Sequence, residues 1–174
     1  MKAIFLDKDG TLVDDLPYNA EQRRITLCPG VGAGLRLLVR LDYRLFVVTN
    51  QHGVAHGYFS EEDVQGVGRR LGELLSRERL TVDGFYYCPH HPEGSVMPYA
   101  RDCNCRKPKP GMLLQAAHEH GIDLRASWMI GDILHDVEAG NRAGCRTLLI
   151  DNGNETEWQL GPKRIPTRMA PDLY

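Results

Sequence analysis

No run of apolar residues in this chain of 174 approaches the ~20 needed to span a bilayer, and the N-terminus enters a strand-like segment without a signal-peptide pattern. A soluble, cytoplasmic protein is expected. An excess of one charge is also missing: 21 basic residues stand against 23 acidic ones, a formal net charge of −2, so nothing draws the molecule as a whole to nucleic acid or an anionic membrane. A small-molecule partner fits that balance better. There is no internal repeat and no low-complexity tract. An even set of cysteines is absent too; three of the five crowd into residues 88–105, which suits metal binding better than a secreted disulfide framework. The length is enough for one domain, 1–174, with a substantial core, and too short for two comfortable ones.

What is present begins with Ile4-Phe5-Leu6-Asp7-Lys8-Asp9-Gly10-Thr11, where an apolar, strand-like run meets a glycine turn. Side chains alternate along a strand, so Asp7 and Asp9 at i and i+2 would point the same way if the strand continued, and Gly10 suggests a turn there instead. Either way two carboxylates lie close together. They repel unless a cation lies between them or one holds a proton, and a hard divalent ion on carboxylate oxygens suits magnesium, whose usual companion is phosphate. A lone Asp at such a place is commonly a plain turn former. The rest of the chain argues against that reading.

Read for period, the chain alternates apolar runs with helical patterns at 2–6, 30–41, 44–48, 60–77, 83–87, 110–120, 128–130, 135–143 and 146–150. Such alternation predicts βαβ units and a mainly parallel sheet with helices on both faces. Ser60 followed by Glu61, Glu62 and Asp63 reads as a helix N-cap with an acidic first turn, and Pro110-Gly111 opens the next helix. The tail 152–174, with three prolines and few apolar pairs, reads as loop.

Further stations sit where this sheet would place loops at its carboxyl edge. Thr49-Asn50-Gln51 ends the second strand with a hydroxyl and two amides able to donate to phosphoryl oxygens, although a capping threonine is the plainer use. Arg106-Lys107-Pro108-Lys109 packs three cations into four positions, a self-repulsion that an anion would relieve, or else a solvated charged loop. Gly131-Asp132 ends another strand, and Asp136 falls one helical turn later.

Taken together, DKDGT, VVTNQ, RKPKPG and GDILHD resemble the ordered motifs of the haloacid dehalogenase superfamily of phosphohydrolases, over roughly residues 1–150. The resemblance implies a Rossmann-like α/β fold with strand order 5-4-1-2-3 and ligands outside the carboxyl ends of the strands. It also implies roles. Asp7 would attack phosphorus to form an aspartyl-phosphate, and Asp9 would act as general acid and then base. Magnesium would be held by Asp7, the backbone carbonyl of Asp9 and Asp132. Thr49 and Lys107 would steady the phosphoryl oxygens, and Asp136 would orient the Asp132 or Lys107 side. Lys107 is preferred over Lys109 because the family places its lysine directly before a proline, although Lys109 also precedes one.

Cys88-Pro89-His90 and, twelve residues on, Cys103-Asn104-Cys105 narrow the reading. Three thiolates and an imidazole make a closed tetrahedral set suited to structural zinc, clipping an irregular loop that has little to bury. Buried free cysteines or a strained Cys103–Cys105 disulfide are the other uses. His91 is left outside the set. This loop resembles that of the D-glycero-D-manno-heptose 1,7-bisphosphate 7-phosphatase family and its relative, the histidinol-phosphate phosphatase domain. The match implies an open site without a large cap domain, with Arg106 on the substrate, Asp15 to Tyr18 at the entrance, and Thr49, Asn50, Gln51 and His52 framing the phosphate.

The chain departs from that family in places. His52 and His56 replace a serine and an arginine of a TNQSGIARG-like stretch, and Ile133 stands where a lysine is common. The leading expectation is a magnesium-dependent sugar-phosphate phosphatase acting as a monomer without nucleic acid, with histidinol phosphate or another small phosphomonoester as the alternative substrate. A phospho-accepting signalling domain is disfavoured by Asp9, and a polynucleotide phosphatase by the absence of a basic stripe.

Overall fold

The computed structural model describes residues 1–174. Its centre is a wholly parallel sheet in the order β3-β2-β1-β4-β5-β6. The strands are β1 (Ala3–Leu6), β2 (Arg44–Asn50), β3 (Gly84–Cys88), β4 (Trp128–Gly131), β5 (Arg146–Ile150) and β6 (Arg168–Ala170). The helices are α1 (Val31–Arg40), α2 (Gly53–His56), α3 (Glu61–Arg77), α4 (Gly111–His120) and α5 (Leu134–Ala143). The first five strands keep the expected order, with β6 added outside β5.

All of β1 is buried, as a parallel strand covered on both faces must be. Its alternation still sorts the two layers. Ile4 and Leu6, with Leu45 and Val47 of β2, face α1 and α3 through Val31, Leu35, Val67, Leu71 and Leu75. Ala3 and Phe5, with Phe46 and Val48, face α4 and α5 through Met112, Leu113, Ala116 and Ala139. Helix α3 begins as its sequence dictates: Asp63 N–H donates to Ser60 Oγ at 3.2 Å, and Ser60 N–H donates to Asp63 Oδ2 at 2.8 Å.

The tail differs from the loop expected for 152–174. Residues 168–170 pair in parallel with 148–150 of β5, and Thr147 and Thr167 exchange N–H to Oγ1 bonds of 3.0 and 3.1 Å. The reason is physical: β6 is a short, largely exposed edge strand held by backbone bonds, so it needs no apolar alternation to announce it. Arg164 Nε anchors the same tail to Glu138 of α5 at 2.6 Å. The short α2 also escapes the periodic reading, since four residues carry too little pattern.

No segment forms a large cap over the sheet. Residues 7–30 after β1 and 89–110 after β3 flank its carboxyl edge instead. The second of these docks on α2, where Ser95 and Val96 N–H both donate to Ala55 O at 2.8 and 3.0 Å. It docks on α3 as well, where Tyr99 donates to Glu61 Oε2 at 2.7 Å, the other oxygen of Glu61 accepting from Tyr87 of β3 at 3.0 Å. No helix is long and apolar enough to cross a membrane.

Candidate active site

Beyond Leu6 the ladder runs one residue further, Asp7 N–H donating to Ile130 O at 2.9 Å, and then the chain turns. Lys8 O accepts the N–H groups of Leu12 and Val13 at 3.0 Å, which folds Asp9 back beside Asp7. Gly10 makes the turn at φ 76°, and a Cβ there would stand 2.0 Å from Asp132 Oδ2, so only glycine fits.

Asp7 is nearly buried, and its Oδ1 accepts from Lys107 Nζ at 2.6 Å. The same ammonium reaches Val48 O at 2.9 Å and Asp136 Oδ1 at 2.6 Å. Asn50 fixes the loop that carries it, its Nδ2 donating to Lys107 O and its Oδ1 accepting from Lys107 N–H, both at 3.0 Å. Lys109 lies elsewhere, on Asp102 at 2.6 Å. Asp9 pairs with the fully buried Lys8, and its Oδ2 accepts from Gln51 Nε2 at 3.1 Å; that amide also donates to Thr49 Oγ1 at 2.9 Å. Burial is the larger effect on Asp9 and pushes its carboxyl up, joined by Asp7's charge and opposed by Lys8.

Asp7, Asp132 and Asp136 bring one carboxylate oxygen each within 4.8 Å of one another. Asp132 is pushed above the usual carboxylate range by burial and then by Asp7 and Asp136; Asp136 rises through burial and Asp7 despite Lys107. Burial works against the Lys107 ammonium, yet Asp136 and Asp7 hold its pKa above the ordinary lysine value. With all three carboxylates ionised, one ammonium would leave two negative charges uncompensated in a buried space. Hard oxygens with that residual charge fit a divalent cation such as magnesium.

The second cluster lies where β3 ends. Cys88, Cys103 and Cys105 hold their Sγ atoms 3.0–3.5 Å apart, and His90 Nδ1 lies 3.4 Å from Cys105 and 3.7 Å from Cys88. A tetrahedron with zinc–sulfur bonds of ~2.3 Å has edges of about 3.8 Å, so this set is a slightly contracted version of it. All five cysteines are free, and the 3.4 Å between Cys103 and Cys105 is far too long for a disulfide bond. The Cys105 thiol is held down to about 5, first by its hydrogen bond with Cys88 and then, against burial, by His90 and Cys103. Cys105 and then burial push the Cys88 thiol up.

A cavity of about 380 Å³ opens over the carboxylates. Each residue expected at the phosphate or substrate lines it: Asp15, Tyr18, Thr49, Asn50, Gln51, His52, Arg106 and Lys107, with Asp7, Asp9 and Asp132. Ile133 lines it too, whereas His56 and His91 pack behind His52. His52 is pushed down to about 4 by burial, then by Arg106, His91 and His56, so its ring is neutral near pH 7. Arg106 is half-buried with no carboxylate partner, and desolvation lowers its pKa.

The sequence reading missed several residues that the fold brings here. Phe59 and His135 line the cavity. Asn154 Nδ2 donates to Asp132 Oδ2 at 2.7 Å, Asn152 Nδ2 to Gly10 O at 2.7 Å, and Leu134 N–H to Glu155 Oε2 at 2.7 Å. One signal could have found the tail residues: Asn152-Gly153-Asn154-Glu155 directly follows β5, at the sheet edge where ligands bind.

The chain is 45% identical over 153 residues to the D-glycero-beta-D-manno-heptose-1,7-bisphosphate 7-phosphatase of Pasteurella multocida, covering 87% of this chain and 83% of that one. It is 42% identical to the enzyme of the same name from Escherichia coli K12, over 97% of this chain and 96% of that one. The chain belongs to this phosphatase family. A HAD-hydrolase-like family model matches residues 104–174, placing the family among the haloacid dehalogenase-like hydrolases. The crystal structure of D,D-heptose 1,7-bisphosphate phosphatase from B. bronchiseptica superposes with a TM-score of 0.80 at 28% identity, over 99% of this chain and 94% of that one. That crystal holds magnesium and phosphate. Like the rest of this family, the chain is a phosphatase.

Proposed function

We propose that this enzyme removes the 7-phosphate of D-glycero-D-manno-heptose 1,7-bisphosphate through an aspartyl-phosphate intermediate. The observation that carries the reading is the 42% identity running over 97% of the chain to a relative of that name. The open cavity above Asp7 is of a size that suits a phosphorylated sugar.

In this reading an Asp7 oxygen attacks phosphorus as the bond to the sugar oxygen breaks, and Asp9 gives its proton to the departing alkoxide. Asp9 then takes a proton from water, whose oxygen attacks the same phosphorus and frees Asp7 and inorganic phosphate. The raised Asp9 carboxyl suits the first half, and its bonds to Lys8 and Gln51 suit the carboxylate needed in the second. Thr49 and Lys107 face the phosphoryl oxygens, and Asp136 aims Lys107. Asp7, the Asp9 carbonyl and Asp132 would hold magnesium, which supplies charge neutralisation between anionic nucleophile and anionic phosphate. Cys88, His90, Cys103 and Cys105 would hold structural zinc, which fixes the loop carrying Arg106. The enzyme acts as one domain over 1–174 and as a monomer, in the cytoplasm.

The test is phosphate release with magnesium from heptose 1,7-bisphosphate in both anomers, histidinol phosphate, fructose 1,6-bisphosphate and a nucleotide, with Asp7→Asn as the blank. A preference of at least ~100-fold in kcat/KM for the heptose, about 2.7 kcal/mol of transition-state discrimination, is expected. Even activity across the panel would remove the heptose assignment.

A further inference from the structure

Beside the cavity, five side-chain rings from separate stretches of chain close into a circuit. Tyr18 comes from the loop after β1, His52 and His56 from the ends of α2, Tyr58 from just beyond it, and His91 from the loop after β3. Around the circuit the centroids are 4.6 Å apart for Tyr18 and Tyr58, 5.6 Å for Tyr58 and His56, and 4.9 Å for His56 and His91. It closes with 5.4 Å for His91 and His52 and 5.5 Å for His52 and Tyr18. Every separation falls in the range where aromatic rings attract, and both contacts of Tyr18 are edge-on, at 72° and 75°.

Tyr18 and His52 line the cavity, whereas His56, Tyr58 and His91 do not. Tyr18 also sits at φ 52°, in the left-handed region that a bulky residue enters only where its surroundings hold it. Its ring is half exposed, and no hydrogen bond of its hydroxyl accounts for the placement. The circuit accounts for it. A metal held by the three imidazoles is the competing use, and two observations oppose it. His91 Nδ1 accepts the Glu93 N–H at 3.1 Å, which leaves the proton on its other nitrogen, and the Arg106 guanidinium acts on both His52 and His91.

We propose that the circuit fixes Tyr18 as a platform for the carbon skeleton of the substrate, with His56, Tyr58 and His91 as positioning residues that do not touch it. The inference rests on the phosphatase reading above. The platform acts through binding, so it belongs to KM and leaves the phosphoryl chemistry at Asp7 apart. Two of the five rings, His52 and His56, stand at the positions where the chain departs from the serine and arginine of the stretch it resembles.

The experiment is steady-state kinetics on whichever phosphomonoester of the panel the wild type hydrolyses best, so a wrong sugar assignment is exposed by the panel while this test still runs. His91→Ala and Tyr58→Ala should each raise KM about tenfold with kcat held within about twofold. His91→Phe, which keeps a ring and loses the nitrogens, should restore KM to within about threefold. Tyr18→Ala should show the same loss, and adding His91→Ala to it should cost little more. Tyr58 is well exposed, so its variant tests the idea even if His91→Ala fails to fold. An unchanged KM in the Tyr58 variant, a fall in kcat alone, a His91→Phe variant no better than His91→Ala, or additive losses in the double variant would each overturn the proposal.

Discussion

Asn154 shows what a single side chain contributes to the charge balance. Its amide donates to Asp132 and opposes the burial and the two neighbouring carboxylates that push that group up. Asn154→Ala therefore removes about 1 kcal/mol of interaction with the ionised form, and the magnesium concentration giving half-maximal turnover should rise several-fold. An unchanged magnesium dependence would discard that role. The sequence displays Asp7, Asp9, Thr49, Lys107 and Asp132 openly, because each lies in a short contiguous string at the end of a strand. Asn154 and Asn152 are not visible in this way. Asn152 meets Gly10 across 142 residues of chain, and no local spacing encodes such a meeting. Lys8 is hidden for another reason: a lysine after a strand reads as solvated, and only the fold reveals it buried against Asp9.

Among elements, the loop 88–105 depends most on something other than packing. Its middle is exposed, and its ends meet at Cys88, His90, Cys103 and Cys105, four side chains able to hold a metal ion. Cys103→Ser should lower bound zinc well below one equivalent and open 88–105 to protease, while the sheet, held by its two buried layers, survives. Metal analysis that still finds a full equivalent would mean that another set of ligands holds it. The strands β1, β2, β4 and β5 were legible because burial on both faces demands continuous apolar runs. Helix α3 was legible because Ser60 and Asp63 write its cap. Helix α2 and strand β6 were not, since one is a single turn and the other an exposed edge, and both are held by backbone bonds that any sequence can make.

At the scale of the molecule, the buried carboxylates tie stability to pH and to magnesium together. Asp132 and Asp136 titrate above the ordinary carboxylate range in the metal-free fold, whereas in the unfolded chain they ionise at ordinary values. The folded state then binds more protons, so its stability falls as pH rises through that window. Magnesium at Asp132 would take only the ionised group and offset part of that loss. The rise in Tm on adding magnesium should therefore be larger at about pH 8 than at about pH 5. Equal shifts at both would show that Asp132 does not share the ion's site. His52 works in the opposite direction: its depressed pKa gives stability that is present above about pH 6.5 and lost as pH falls toward about 4, with or without the ion.

The position of β1 in the sheet has one more consequence. The strand that ends just before Asp7 lies between β2 and β4, and its second neighbour begins only at Trp128. On the ribosome, a chain that has made Asp7 still lacks Lys107, Asp132 and Asn154, and every strand but β1 of the sheet that holds them. In such a nascent chain the aspartate stands without the groups that surround it in the fold, and the cavity over it is completed late in synthesis.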